Sequence, residues 1–397
     1  MEGLTPTNYT PVMEVNTTAQ SIYQRYNLQD MFLEFRPLAL FIDRGVTPVW
    51  YIIGITGNLL AARVWLDRRI RKNNSSAIYL ATLSIADLIF LLLHILQELN
   101  YAWGCNTLNH LGMCETYFTL AIVAQYLSPI LVLAFTVERW IAICHPFAKE
   151  KYCTSHKAIR VVVGLISLSV ALSLMQSYFW VYRDGRCTIR RNAMSGGSAS
   201  LWSIWTWITE MMVFLIVPLV ILVFNVLVIQ EIQTLSKAGQ QMLPTSGRSS
   251  TSGSGQHSNG SAATTVMLLS VSFYVILTTL PATLVYALYQ KFPEGNVYLT
   301  DAEIRVNAEW NRYFTYITYR KFVEEICLSH YACNFFLYVI TGPQFRKCLM
   351  TLSVFSWLQK ANSGPVKYVS EGTQRTSNKT NYVAVGDKRL LSGNTDV

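Results

Sequence analysis

The sequence predicts an all-α membrane protein, a bundle of seven transmembrane helices followed by a short amphipathic eighth helix. Three observations carry that prediction. Only 14% of the 397 residues are charged, where a soluble domain averages roughly 25%. Hydrophobic residues make up 51% of the chain. They gather in runs of about the 20 residues that a helix needs to cross a bilayer core. Together these exclude a disordered chain, a collagen and an ordinary cytosolic enzyme. The eight cysteines are scattered and form no CxxC pair, which excludes a disulfide-rich scaffold.

Seven runs qualify in order. The first is Val46 to Leu66 and the second Ser76 to Leu99. The third, Leu111 to Cys144, is long enough to project beyond the bilayer. The fourth is Ala158 to Trp180, the fifth Leu201 to Ile232, and the sixth Ala262 to Tyr289. The seventh, Phe314 to Thr341, is the least apolar, since it contains Arg320, Lys321, Glu324 and Glu325. None of the runs alternates, and all exceed the roughly 10 residues of a membrane strand, so a β-barrel is excluded.

Basic residues set the direction. Arg63, Arg68, Arg69, Arg71 and Lys72 follow the first run, and Lys149, Lys151, Lys157 and Arg160 lie between the third and fourth. Both loops are therefore expected in the cytoplasm. Residues 1–45 become an extracellular segment, and the carboxyl tail is cytoplasmic. Asn8 and Asn16 are glycosylation sequons in that outer segment. The Ser/Gly-rich stretch 237–260 reads as a flexible cytoplasmic loop, and 359–397 as a disordered tail. Residues 342–358 alternate basic and apolar positions at helical spacing, as an interfacial helix does. Cys348 within it is a palmitoylation candidate, and membrane lipid its expected partner.

Several polar residues interrupt the runs. Asn58 lies in the GITGNLL of run one, and Asp87 in the LSIADL of run two. A lone Asn usually makes a helix–helix contact. An Asp at bilayer depth is costly and points to a hydrated interior site. Glu138 and Arg139 end run three. Alone they would read as a snorkelling arginine with an acid neighbour, but AICHPF (residues 142–147) follows them. Cys187, in the loop after run four, meets an oxidising compartment, with Cys114 or Cys105 as its partner; the spacing of Cys114 to Arg139 favours the former. Pro218 and Pro281 would kink runs five and six. Run seven closes on Asn334, Phe335, Phe336, Leu337 and Tyr338.

Taken in order, these motifs resemble the rhodopsin-like (class A) G-protein-coupled receptors over residues 46 to 357. The HPF and NFFLY styles are similar to invertebrate neuropeptide receptors of the FMRFamide-receptor kind. The resemblance implies a cell-surface receptor, not an enzyme, with a heterotrimeric G protein and arrestin as cytoplasmic partners. It implies that Glu138 pairs with Arg139 while Arg139 holds runs three and six together. Phe147 would dock on the G protein, and Tyr338 would swing inward on activation. Cys114–Cys187 would form the disulfide. Asp87, Ser128 and Asn334, with Asn58 beside them, would match the family's allosteric sodium site. The chain departs from the family pattern at Trp140, Phe335, Thr278, Thr279, Val226 and His330.

The ligand class follows from what is missing and what remains. By alignment to Cys114, Ala121 stands where amine receptors carry an aspartate, and Leu328 where opsins carry the retinal lysine. Pocket candidates are His94, Gln97, Glu98, Gln125, Glu210, Glu324 and Glu325. Their several acids favour a cationic ligand such as an amidated peptide with an internal arginine. Alternatives are a small-molecule ligand on the same fold, a seven-span transporter, or a membrane hydrolase. A transporter would show an inverted repeat, and none is evident. A metal hydrolase would need clustered histidines, and the six are scattered. No nucleic-acid partner is expected.

Overall fold

The computed structural model describes residues 20–72, 74–241 and 255–352. Six described helices are long and apolar enough to cross a membrane: Pro37–Trp65, Ser75–Tyr101, Met113–Cys144, Ser155–Phe179, Leu201–Ala238 and Thr265–Ala287. The seventh span, Ala308–Thr341, has 34 residues but is too charged to qualify by composition. Its charges are answered within the bundle. Arg320 pairs with Glu324 at 2.6 Å, and Lys321 with Asp43 of span one at 3.0 Å. Paired charges facing a bundle interior are the form in which a spanning helix tolerates them.

The bundle has two ends. At one, β1 (Trp180–Arg183) and β2 (Arg186–Ile189) form an antiparallel hairpin that carries Cys187 to Cys114. At the other, the third span ends at Cys144 and a short helix, Pro146–Tyr152, follows. The largest apolar cluster lies toward this second end, around Trp65, Leu80, Leu131, Phe135, Val271 and Tyr338. Helix Pro343–Thr351 follows span seven and buries Phe345 and Leu349.

The first span starts earlier than hydropathy places it, at Pro37 rather than Val46. Residues ahead of it are also built into the fold. Asn27 caps helix Leu28–Phe35 by accepting from the Asp30 N–H at 2.8 Å. That helix buries Met31 and Phe35 against Trp310, Phe314 and Ile304, with Phe35 stacked on Phe314 at 5.6 Å. Arg25 donates to the Leu299 carbonyl, and Tyr26 to Asp301. The boundary near residue 45 therefore does not separate a free segment from the bundle. Four-residue spacing of apolar positions marks this helix, but polar neighbours dilute it in a long window.

At the other gap, the helix of span five runs to Gln241 and that of span six begins at Gly255. The stretch read as loop from 237 to 260 thus narrows to 242–254, which lies outside the described residues. So do Asn8, Asn16 and everything from 353 onward, including the end of the eighth helix and the tail.

Proline and glycine shape the spans in definite ways. In an unbroken helix residue 218 would donate to the Phe214 carbonyl, but Pro218 has no N–H. Thr283 of span six donates to that carbonyl instead, at 2.8 Å, beside a π-helical turn over Met212–Ile216. Pro129 likewise frees the Gln125 carbonyl, which accepts from the Tyr331 hydroxyl at 3.3 Å. A Cβ at Gly54 would come within 2.4 Å of Leu91 and 3.0 Å of Ala332. The glycine is what lets span one approach spans two and seven this closely.

Candidate functional site

Three polar constellations run along the bundle axis. The first is at the arginine end. Arg139 Nη2 lies 2.8 Å from Glu138 Oε1 and donates to Ser76 Oγ at 2.5 Å. Ser75 donates to the same Glu138 oxygen at 2.7 Å. Glu138, Ser75 and Ser76 are all buried. The resemblance implies a tie from span three to span six; the ties shown for Arg139 run to its neighbour Glu138 and to span two. Neither serine stood out in sequence, because a Ser near a helix start ordinarily caps that helix. Phe147, one helical turn beyond this end, is 99% exposed. Tyr338 is fully buried, edge-on to Trp65 at 5.5 Å and beside Phe345. Trp140 packs edge-on against His145 and Phe224.

The second constellation is at mid-bundle. Asp87 accepts from Ser128 at 2.7 Å and from Asn334 Nδ2 at 2.8 Å, and all three are buried. Asn58 Nδ2 donates to the Tyr331 carbonyl at 2.7 Å. The amide oxygens of Asn58 and Asn334 are buried with no hydrogen-bond partner among the described residues. One carboxylate, one hydroxyl and two donor-free amide oxygens form a donor set that suits a hard monovalent cation, which takes oxygen ligands. His330 is fully buried nearby and contacts the Cys327 thiol. Two departures from the family pattern have visible consequences. Phe335 replaces a proline, and span seven continues as one helix through Tyr338. Thr278 and Thr279 turn back onto the carbonyls of Tyr274 and Val275 of their own helix.

The third constellation faces the disulfide end. The Cα atoms of Cys114 and Cys187 are 5.5 Å apart, and the bond joins them, leaving Cys105 free and exposed. Tyr51 bonds His94 at 2.7 Å, Thr47 donates to Glu325, and Tyr117 bonds Gln97 at 3.3 Å. Tyr126 donates to Glu210 at 2.9 Å and to Thr209. Gln125 is half-buried and contributes its carbonyl to Tyr331. The acids are not equivalent, as a count from sequence implies. Glu324 is taken by Arg320 and Lys321, the latter at 3.5 Å, and Asp43 by Lys321. Glu98, Glu210 and Glu325 have no cationic partner among the described residues, and Glu98 Oε1 and Glu325 Oε2 are buried without any hydrogen bond. Sequence reading missed Asp43, Thr47 and Tyr51. They are four residues apart, and Asn58 follows seven residues, or two helical turns, later, which is the signal of one polar helix face.

A seven-helix bundle with a disulfide-held hairpin at one end, a buried Glu-Arg pair at the other and an Asp between them defines a class of membrane receptors. The family model described as "7 transmembrane receptor (rhodopsin family)" matches residues 57–319, and the chain belongs to that family. It is a multi-pass membrane protein of a receptor family rather than an enzyme family. Among similar proteins, the pyrokinin-1 receptor of Drosophila melanogaster is 32% identical over 149 residues, which is 36% of this chain and 33% of that protein. The thyrotropin-releasing hormone receptor of Gallus gallus is 30% identical over 147 residues, 33% of this chain and 34% of that one. The neuromedin-U receptor 2 of Rattus norvegicus is 32% identical over 126 residues, 31% of each chain. The chain thus spans about a third of the length of the relatives it matches.

Proposed function

We propose that this protein is a plasma-membrane receptor that converts binding of an extracellular amidated peptide into nucleotide exchange on a heterotrimeric G protein. Its amino terminus faces outside and its tail the cytoplasm, following the basic loops after spans one and three. Arrestin engages the same cytoplasmic end. The names of the relatives, receptors for pyrokinin, thyrotropin-releasing hormone and neuromedin U, support a peptide ligand. Three pocket acids without a cationic partner among the described residues, Glu98, Glu210 and Glu325, support a ligand that brings a cation of its own.

The observation that carries the reading is the state of Arg139. Its guanidinium is held at the cytoplasmic end by Glu138 and Ser76, next to the exposed Phe147. A ligand shifts a two-state bundle only by binding one state more tightly. Release of Arg139 toward the G protein is the event such a shift would produce. Tyr338, now buried against Trp65, moves with it. The G protein reciprocally raises ligand affinity. The test is a screen of cells expressing the chain against an amidated-peptide library, with calcium and cyclic-nucleotide readouts. Arginine-containing peptides should give a response that the Glu98→Gln and Glu210→Gln variants weaken. Ion flux in membranes lacking any G protein would support a transporter instead.

A further inference from the structure

Four arginines lie within nine residues on the hairpin at the disulfide end: Arg183 and Arg186 at its tip, Arg190 and Arg191 after its second strand. The hairpin is firmly held. Besides the disulfide, the Tyr182 N–H donates to Glu115 at 3.0 Å, the Cys187 N–H donates to Asn109 at 2.7 Å, and Trp180 stacks on Phe118 at 3.6 Å. Side chains alternate along a strand. The face opposite Trp180, Tyr182 and Cys187 therefore carries Val181, Arg183, Arg186 and Thr188, turned away from span three. Arg183 and Arg186 stand directly opposite each other in the register. Like charges so placed destabilise a hairpin. Asp184, in the turn between them, forms an ion pair with neither among the described residues.

Other arginines at this end are answered. Arg25 pairs with Asp301 at 3.3 Å, Arg305 pairs with Glu34, and Arg44 donates to the Ala102 carbonyl at 2.8 Å. Arg190 donates to the Tyr178 carbonyl at 2.9 Å and lies over its ring. Arg183, Arg186 and Arg191 are exposed, and their side chains have no hydrogen-bond or ion-pair partner among the described residues. A cationic ligand bound for the acidic cavity is repelled by these three, so the anion that answers them is a separate molecule. The hairpin face they occupy offers little apolar area, on which the core of a protein interface depends. The four residues of the second strand set Arg191 roughly 13 Å from Arg186. One small anion does not reach both. A stiff chain with anions on every unit does, whereas a flexible acidic peptide loses conformational entropy when ordered there. We infer that the outer hairpin docks a sulfated glycosaminoglycan of the cell surface, whose sulfates Arg183, Arg186 and Arg191 bind. The inference rests on the outward orientation of this end proposed above, and on nothing about the peptide or the G protein.

Heparin binding tests this, first with the purified full-length chain in nanodiscs and then with intact cells that express it and make no glycosaminoglycan of their own. The variant R183Q/R186Q/R191Q should weaken binding in both settings by roughly tenfold, the effect of losing three exposed ion pairs, with its thermal transition unchanged. R183K/R186K/R191K keeps the charges and should retain most of the binding. K149Q/K151Q/K347Q removes three charges at the opposite end and should leave binding to intact cells as it is. Raised salt should weaken binding, and desulfated heparin should bind far less than heparin. The inference is overturned if the triple glutamine variant on intact cells binds heparin like the native chain, or if desulfated heparin binds as well as heparin. Polyglutamate binding as tightly as heparin overturns it too, and makes an acidic peptide the partner. Binding that depends on the three arginines in nanodiscs but is missing on intact cells overturns the outward orientation, and the glycan with it. Neither setting uses a peptide ligand or a G protein, so the signalling reading stands or falls separately.

Discussion

Replacing Ser76 by alanine should raise the basal activity of the receptor. Ser76 Oγ accepts from the Arg139 guanidinium at 2.5 Å, while both side chains are largely removed from water. A hydrogen bond to a charged group contributes about 1.5–3 kcal/mol, and this one exists only while Arg139 is held back. Taking the lower figure, because Arg139 keeps its contact with Glu138, the equilibrium moves by roughly tenfold toward the released state. Ligand-free nucleotide exchange by a reconstituted G protein should rise by about that factor at matched receptor density. Ser76→Thr keeps the hydroxyl and should stay near the native rate. Unchanged or reduced basal exchange in Ser76→Ala would refute the idea that span two restrains the arginine.

Three further perturbations test other parts of the account. Thr283→Val leaves the Phe214 carbonyl without its donor and should lower unfolding stability by about 1 kcal/mol, read as an earlier thermal transition in detergent; the loss should shrink in a Pro218→Leu background, where an N–H is restored. Lys321→Gln leaves the mostly buried Asp43 uncompensated and should cost about 1–2 kcal/mol after allowing for partial exposure; adding Asp43→Asn should recover most of it, and a double variant worse than the single would contradict the pairing. Asp87→Asn removes the charge of the mid-bundle oxygen set and should abolish any sodium dependence of agonist affinity; a dependence that persists would remove sodium from the account.

The sequence made the spans legible wherever apolar residues ran unbroken, and Cys187 and Cys114 are indeed bonded. Asp87 is identifiable because a carboxylate inside an apolar run is rare, Ser128 and Asn334 are placed beside it by the family resemblance, and the structure brings the three together. Partners across helices were harder to read. Lys321 and Asp43 are 278 positions apart in sequence, and nothing local says that they meet. The same holds for Ser76 and Arg139, and for the carbonyls that Pro218 and Pro129 free. Such pairs depend on how each helix is rotated, which hydropathy does not encode. The early start of span one was hidden for another reason, since Asp43 and Arg44 lower the local hydropathy although Asp43 is neutralised inside the bundle.

The claim on which the functional account rests is that Arg139 transmits to the cytoplasmic side what binds at the disulfide end. Agonist-driven nucleotide exchange should be measured with the native chain and Arg139→Ala, each in membranes with a purified G protein and at equal surface density. The account predicts that a peptide which accelerates exchange through the native chain still binds the variant but no longer accelerates it. Equal acceleration by both would contradict it.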